Sequence, residues 1–175
     1  ATVTGTGSQW TNTGQLLVGN SGAGTLSISQ GGAVYGTSVV LGSASAGSGS
    51  VTVSGTGSRW TNTGQLGIGN SGTGSVSITS GGAVSGTSAV IGSATAGSGS
   101  VIVSGTGSSW ANSSFISVGN SGTGVLRVEN GASVSSVGGA TRNAIGRVAG
   151  STGSVTVPGR IELDQTLELA LKQRL

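Results

Sequence analysis

The chain contains no cysteine and no histidine, which removes disulfides, thiolate chemistry and the imidazole base from consideration at the outset. Carboxylates are nearly as scarce. Glu129, Glu162, Asp164 and Glu168 are the whole set among 175 residues, so no acid precedes residue 129. General acid–base catalysis needs titratable groups held near one another, and a glycosidase needs two carboxylates about one bond. Serine is abundant, but a serine nucleophile needs a base to take its proton, and none stands before Glu129. The glycine-rich calcium-binding repeats depend on aspartates that are absent here, so no metal site is expected. A protein that is no enzyme and carries no cofactor is the reading these absences favour. A carbohydrate-active β-helix enzyme is its rival.

Positive charge is withheld in the same way. Arg59 is the only charged residue before Arg127, and the other six basic residues lie from Arg127 onward. A nucleic-acid groove needs several cations along one face to displace counterions, so no nucleic-acid partner is expected. No apolar run approaches the roughly 20 residues of a membrane helix, and Ala1 opens no signal-peptide pattern, so the chain reads as soluble. A mix with 37 Gly and 6% charged residues could describe a flexible linker. Its apolar residues argue otherwise, because Val51, Thr52, Val53 and Val76, Ser77, Ile78 alternate with the period of two that marks a strand with one buried face.

Repetition is what the chain has in plenty. Trp10, Trp60 and Trp110 stand at equal intervals in nearly one phrase: GTGSQWTNTGQL, GTGSRWTNTGQL and GTGSSWANSSFI. The period divides again, since residues 16–34 reappear more loosely in residues 40–60. Gly19, Gly42, Gly69, Gly92 and Gly119 each follow the first strand of a unit, and the intervals between them alternate regularly, short then long. A period that holds without drift means that one unit is being stacked. Six full or partial units precede the loosening near Gly139.

A unit of about 25 residues, with three short strands and Gly, Asn or Ser at each corner, predicts an all-β parallel β-helix, or β-solenoid. Six to seven coils at the strand spacing of about 4.8 Å make a rod roughly 30 Å long. Leu16 and Val18, Leu26 and Ile28, and Val34 should point inward, with Val39 and Leu41, Val51 and Val53, Trp60, Leu66 and Ile68, Val76 and Ile78, and Val84 stacked above them. Trp60 falls where the short units carry Val34 and Val84. Core filling is favoured over an exposed aromatic ladder, because large and small residues interleave well in a packed interior. A buried indole N–H needs a partner, and Asn12, Asn62 and Asn112, two positions after each Trp, are candidates for that or for corner bonding. The GNSG corners align Asn20, Asn70 and Asn120, where a tight turn is favoured over a ligand contact.

The outward face repeats as well. Thr25, Ser27 and Ser29 are followed by Ser50, Thr52 and Ser54, then by Ser75, Ser77 and Thr79, an array of hydroxyls that is the candidate contact surface. It could order water at an ice surface, accept sugars, pack against a copy of itself, or simply face solvent. Ile102, Arg127 and Glu129 interrupt it, which counts against ice binding.

Phrases of the form GSxWTNTGQLxVGNSGTGxLxIxxGGxV resemble the repeat of autotransporter (type V secretion) passenger domains and of some PEP-CTERM-associated exported proteins. The resemblance covers roughly residues 1–157 and rests on motifs that recur three times. It implies an extracellular β-helix at a bacterial cell surface, a stalk or adhesin meeting a host surface protein or glycan or a second copy of itself. It also implies a membrane barrel, absent from this chain, as the tether. The matching Trp and GNSG positions define the repeat and are not known binding residues. Thr2 and Val3 align with Thr52 and Val53, so the first coil begins part-way and further repeats are expected ahead of it. Residues 1–157 form the expected solenoid domain. Residues 158–175 form a C-terminal cap or tail: after Pro158, a strand and then a short amphipathic helix with Asp164 as N-cap, Leu167, Ala170, Leu171 and Leu175 on one face, and Lys172 and Arg174 near its end.

Overall fold

Alternation of apolar and hydroxyl residues holds each short segment extended, and glycine at the corners lets the chain return on itself after three of them. The computed structural model, which describes residues 1–137, 143–158, 160–163 and 168–169, is an all-β parallel solenoid in which each coil adds one strand to each of three sheets. The first sheet runs through Thr2–Thr4, Ala23–Ser29, Ser48–Ser54, Thr73–Thr79, Ser98–Ser104, Thr123–Glu129 and Thr152–Thr156. The second contains Gln9–Thr11, Ala33–Gly36, Arg59–Asn62, Ala83–Gly86, Ser109–Asn112, Ser133–Ser136 and Arg160–Leu163. The third contains Leu16–Val18, Val39–Leu41, Gln65–Ile68, Ser88–Ile91, Ile116–Val118, Ala144–Ile145 and Glu168–Leu169. Every described pairing is parallel, so the backbone groups of each strand inside a sheet bond to the coils on either side.

The core consists of the aliphatic columns expected. In the first sheet Leu26, Val51, Val76, Val101 and Leu126 are partners in register, as are Ile28, Val53, Ile78, Val103 and Val128, and all are buried. In the second sheet Trp10, Val34, Trp60, Val84, Trp110 and Val134 alternate in one column. Trp60 and Trp110 are 0% and 1% exposed, so the indoles fill the interior and make no surface ladder.

The alternation of short and long intervals acquires a cause. First-sheet partners keep one constant offset from Thr2 through Glu129, as Thr2 meets Ser27, Ser27 meets Thr52 and Thr52 meets Ser77. A long coil spends one more residue than a short one on either side of its Trp, as the steps Ser54 to Trp60 to Leu66 show against Ser29 to Val34 to Val39. A short coil returns both at its GSASAGSG corner, so the first sheet never loses register. The extra length admits the larger ring. The step from Thr123 to its partner Thr152 is longer than any before it, which is where the repeat loosens in sequence.

One corner is closed by a pair of glycines in close approach. Gly69 takes φ +69, and Gly74 at an inward position of the next strand presses on it so closely that a Cβ on Gly74 would overlap the Gly69 backbone nitrogen. Asn70 itself is not left-handed. Its Nδ2 donates to Ser43 O of the coil below at 3.3 Å, and Asn120 repeats the bond to Ser93 O at 3.2 Å, so these side chains tie coils together at the turn.

Two expectations are corrected. Asn62 and Asn112 are buried, yet neither carboxamide meets a protein partner, and the Trp60 and Trp110 indole nitrogens are equally unpaired. The Trp and Asn side chains share the inward direction without bonding, because neighbours two apart on one strand point the same way and their polar tips do not converge. Only Asn12 bonds at the corner, donating to Gly14 O at 2.6 Å. The C-terminal helix is the second, at the two of its positions that are described: Glu168–Leu169 is a strand paired with Ala144–Ile145. Continuing the winding satisfies the open edge of the third sheet, which a helix laid across the end would leave unpaired. The strand expected after Pro158 is present as Arg160–Leu163, whereas Asp164, Leu167, Ala170, Leu171, Lys172, Arg174 and Leu175 lie outside the described residues.

Trp60→Val should lower stability by about 3 kcal/mol through the cavity it leaves, and Trp10→Val by less because Trp10 is only half-buried, as read from urea midpoints. Asn62→Leu, which removes an unpaired buried carboxamide at similar volume, should raise the midpoint by the equivalent of about 1 kcal/mol.

Candidate functional site

The outer face of the first sheet is set by the same register that builds the core, since residues one step along each strand point the other way. Thr25, Ser50 and Ser75 form one column, Ser27, Thr52 and Ser77 a second, and Ser29, Ser54 and Thr79 a third. The structure brings all nine together. It also adds a column that sequence reasoning missed, Ser48, Thr73, Ser98, Thr123 and Thr152, each exposed, at the strand starts beside the corner. A hydroxyl at each corner of the repeat was the available signal, and it read as turn composition.

The third column is partly self-satisfied. Ser29 Oγ donates to Thr4 Oγ1 at 3.0 Å, Thr79 Oγ1 donates to Ser54 Oγ at 3.2 Å, and Asn130 Nδ2 donates to Ser104 Oγ at 2.9 Å. No side-chain bond within the protein engages the hydroxyls of Thr25, Ser27, Ser50, Thr52, Ser75 or Ser77 among the described residues. A hydroxyl both donates and accepts, so these columns can meet water, sugars or another hydroxyl face. Ile102 in the next coil, then Val125 and Arg127 in the one after, replace hydroxyls, and Arg127 Nη2 donates to Glu129 Oε2 at 2.8 Å. That pair is exposed enough for solvent to weaken it. It leaves Glu129 engaged with a cation on its own strand. No group of acids able to hold a metal ion occurs among the described residues.

Other hydroxyls are structural. Ser58, in the GTGS phrase before Trp60, is buried; its Oγ donates to Ser54 O at 2.8 Å and accepts from Gly31 N–H of the coil below at 3.0 Å. Ser108 repeats both bonds with Ser104 and Gly81. On the outer face of the second sheet, Tyr35 and Arg59 border an open cleft of about 330 Å³. The sequence offered one sign of it: these are the sole tyrosine and the sole charge in a long neutral stretch.

Compared with protein-family models, with curated proteins and with solved structures, the chain shows no significant match. The fold and the surface chemistry are therefore the basis for a functional reading.

Ser58→Ala should cost about 1–3 kcal/mol by stranding the Gly31 N–H and the Ser54 carbonyl, whereas Ser27→Ala on the outer face should change stability by less than about 0.5 kcal/mol. Equal losses in paired urea titrations would contradict this division of the serines.

Proposed function

We propose that this chain is a non-enzymatic segment of an exported bacterial protein, a stalk or adhesin passenger that stands at the cell surface and attaches through its side. The observation that supports it best is the first sheet's outer face, where hydroxyl columns hold one register through successive coils and no charged residue but Arg59 occurs before Arg127. Such a face offers a second copy no like-charge repulsion, and each hydroxyl can donate to or accept from its counterpart. Parallel stacking gives stiffness, because bending the rod would break ladder hydrogen bonds in all three sheets. The partner is a copy of the same chain side by side, or a host surface protein or glycan. The tether is a membrane barrel outside this chain.

Regular spacing of the hydroxyls also favours a second reading, ordering of water at an ice surface, which thermal hysteresis would reveal. Ile102 and the Arg127–Glu129 pair break the lattice and weigh against it. A carbohydrate-active enzyme draws little support from a surface whose first carboxylate is Glu129, already paired.

Beads coated with the whole chain should cluster in dilute buffer, and a Ser27→Lys/Ser77→Lys variant should disperse them. Those positions lie in the column where Arg127 shows that a long cation fits. Beads that stay single, or that cluster equally with the variant, would remove the hydroxyl face as the adhesive surface.

A further inference from the structure

We propose that Tyr35 and Arg59 form a subsite for an acidic sugar, a hexose ring bearing a carboxylate, on the outer face of the second sheet. The proposal rests on the adhesive reading and gives it a partner class. Both residues depart from the repeat. Tyr35 stands where the equivalent coils carry Ser85 and Ser135, and Arg59 stands where they carry Gln9 and Ser109. Departures scattered at random over a repeat array would seldom meet. These two do: Ala33 pairs with Arg59 and Tyr35 with Thr61, so Tyr35 and Arg59 are diagonal neighbours on adjacent strands of one face, within mutual reach of long side chains.

Together with Thr6, Gln9 and Thr56 they line the cleft of about 330 Å³, and Arg59 also lines a second of about 250 Å³. The first falls at the lower end of the volumes that hold small ligands. A pyranose offers an apolar C–H face, which suits the phenol ring of Tyr35, and a rim of hydroxyls, which suits Gln9 and the threonines. A carboxylate on that ring matches the planar fork of the Arg59 guanidinium in a bidentate, charge-assisted pair. The guanidinium is free to take it, because Arg127–Glu129 is the one ion pair among the described residues and Arg59 is in none. No acid precedes Glu129 in sequence, so no carboxylate on its own strand or on the two strands paired with it neutralises its field. A single cation cannot follow a polyanionic backbone, which separates this site from a nucleic-acid groove.

The test uses the whole chain, a tetrasaccharide of glucuronic acid, and the same tetrasaccharide with its carboxyls reduced to alcohols, with binding read by saturation-transfer NMR and calorimetry. Arg59→Gln and Tyr35→Ser restore the residues that equivalent coils carry, so both variants should keep the melting profile of the parent. The acidic oligosaccharide should bind at about millimolar Kd, and the reduced form and the Arg59→Gln variant should each bind about ten-fold more weakly. Tyr35→Ser should weaken the acidic and the reduced forms alike, and added salt should weaken the acidic form alone. No saturation by the acidic form, equal binding of both forms, or binding unchanged in the two variants would overturn the subsite. Clustering of coated beads is read independently, so beads that cluster while the sugar fails to bind would leave the adhesive reading standing and remove this one.

Discussion

Unbroken register of the first sheet is the constraint on which the rest of the molecule depends. Its central strands are seven residues long and pair residue for residue with the coils above and below, while the other two sheets have strands of two to four. A slip of one residue would turn Val51, Val53, Val76 and Ile78 outward and their hydroxyl neighbours inward, exchanging core for surface in a single step. Variation in coil size is accordingly confined to the corners. The Trp-bearing coils lengthen around the second sheet and the Val-bearing coils lengthen at the return, and the two changes cancel where the first sheet begins again.

The same constraint accounts for the composition. Glycine is required where two walls meet closely, as at Gly69 and Gly74, where even a methyl group would collide with backbone. Serine and threonine are favoured outside because a stacked column repeats each side chain at the strand spacing, and like charges at that spacing would repel at every step. Neutral hydroxyls avoid the repulsion and bond to one another along the column, as Thr79 does to Ser54. Scarcity of charge thus belongs to the fold and is no sign of disorder.

Much of this was legible in sequence, because period and alternation are properties of the chain itself. The aliphatic columns, the inward Trp60 and the nine hydroxyl positions followed from them directly. Interactions between coils were harder to read. Nothing in the sequence marks Ser58, yet it fastens one coil to the next. Ser80 adopts φ +53 beside Gly81 in a turn where Asn130 serves the equivalent coil, so the repeat imposes a left-handed residue even where the local sequence does not favour one. Asn62 invited a bond to Trp60 that their parallel directions do not make. The tail's amphipathic spacing suggested a helix, but Glu168 and Leu169 meet an unpaired strand edge, and local periodicity yields to ladder pairing there.

A stacked array also restricts where recognition of a particular ligand can reside. Hydroxyl columns that recur from coil to coil present the same pattern at every level, so they can support adhesion along the rod but cannot by themselves select a unique site. Selectivity needs a position that differs from its equivalents. On the described surface before Arg127, Tyr35 and Arg59 both differ from theirs, and they differ side by side. A Ser-to-Tyr or Gln-to-Arg exchange on the outer face leaves pairing and core untouched, so the fold neither requires such residues nor resists them. A ligand that needs an aromatic ring beside a lone cation would therefore meet both at one level of the rod, and the repeating hydroxyl columns would not supply them at another.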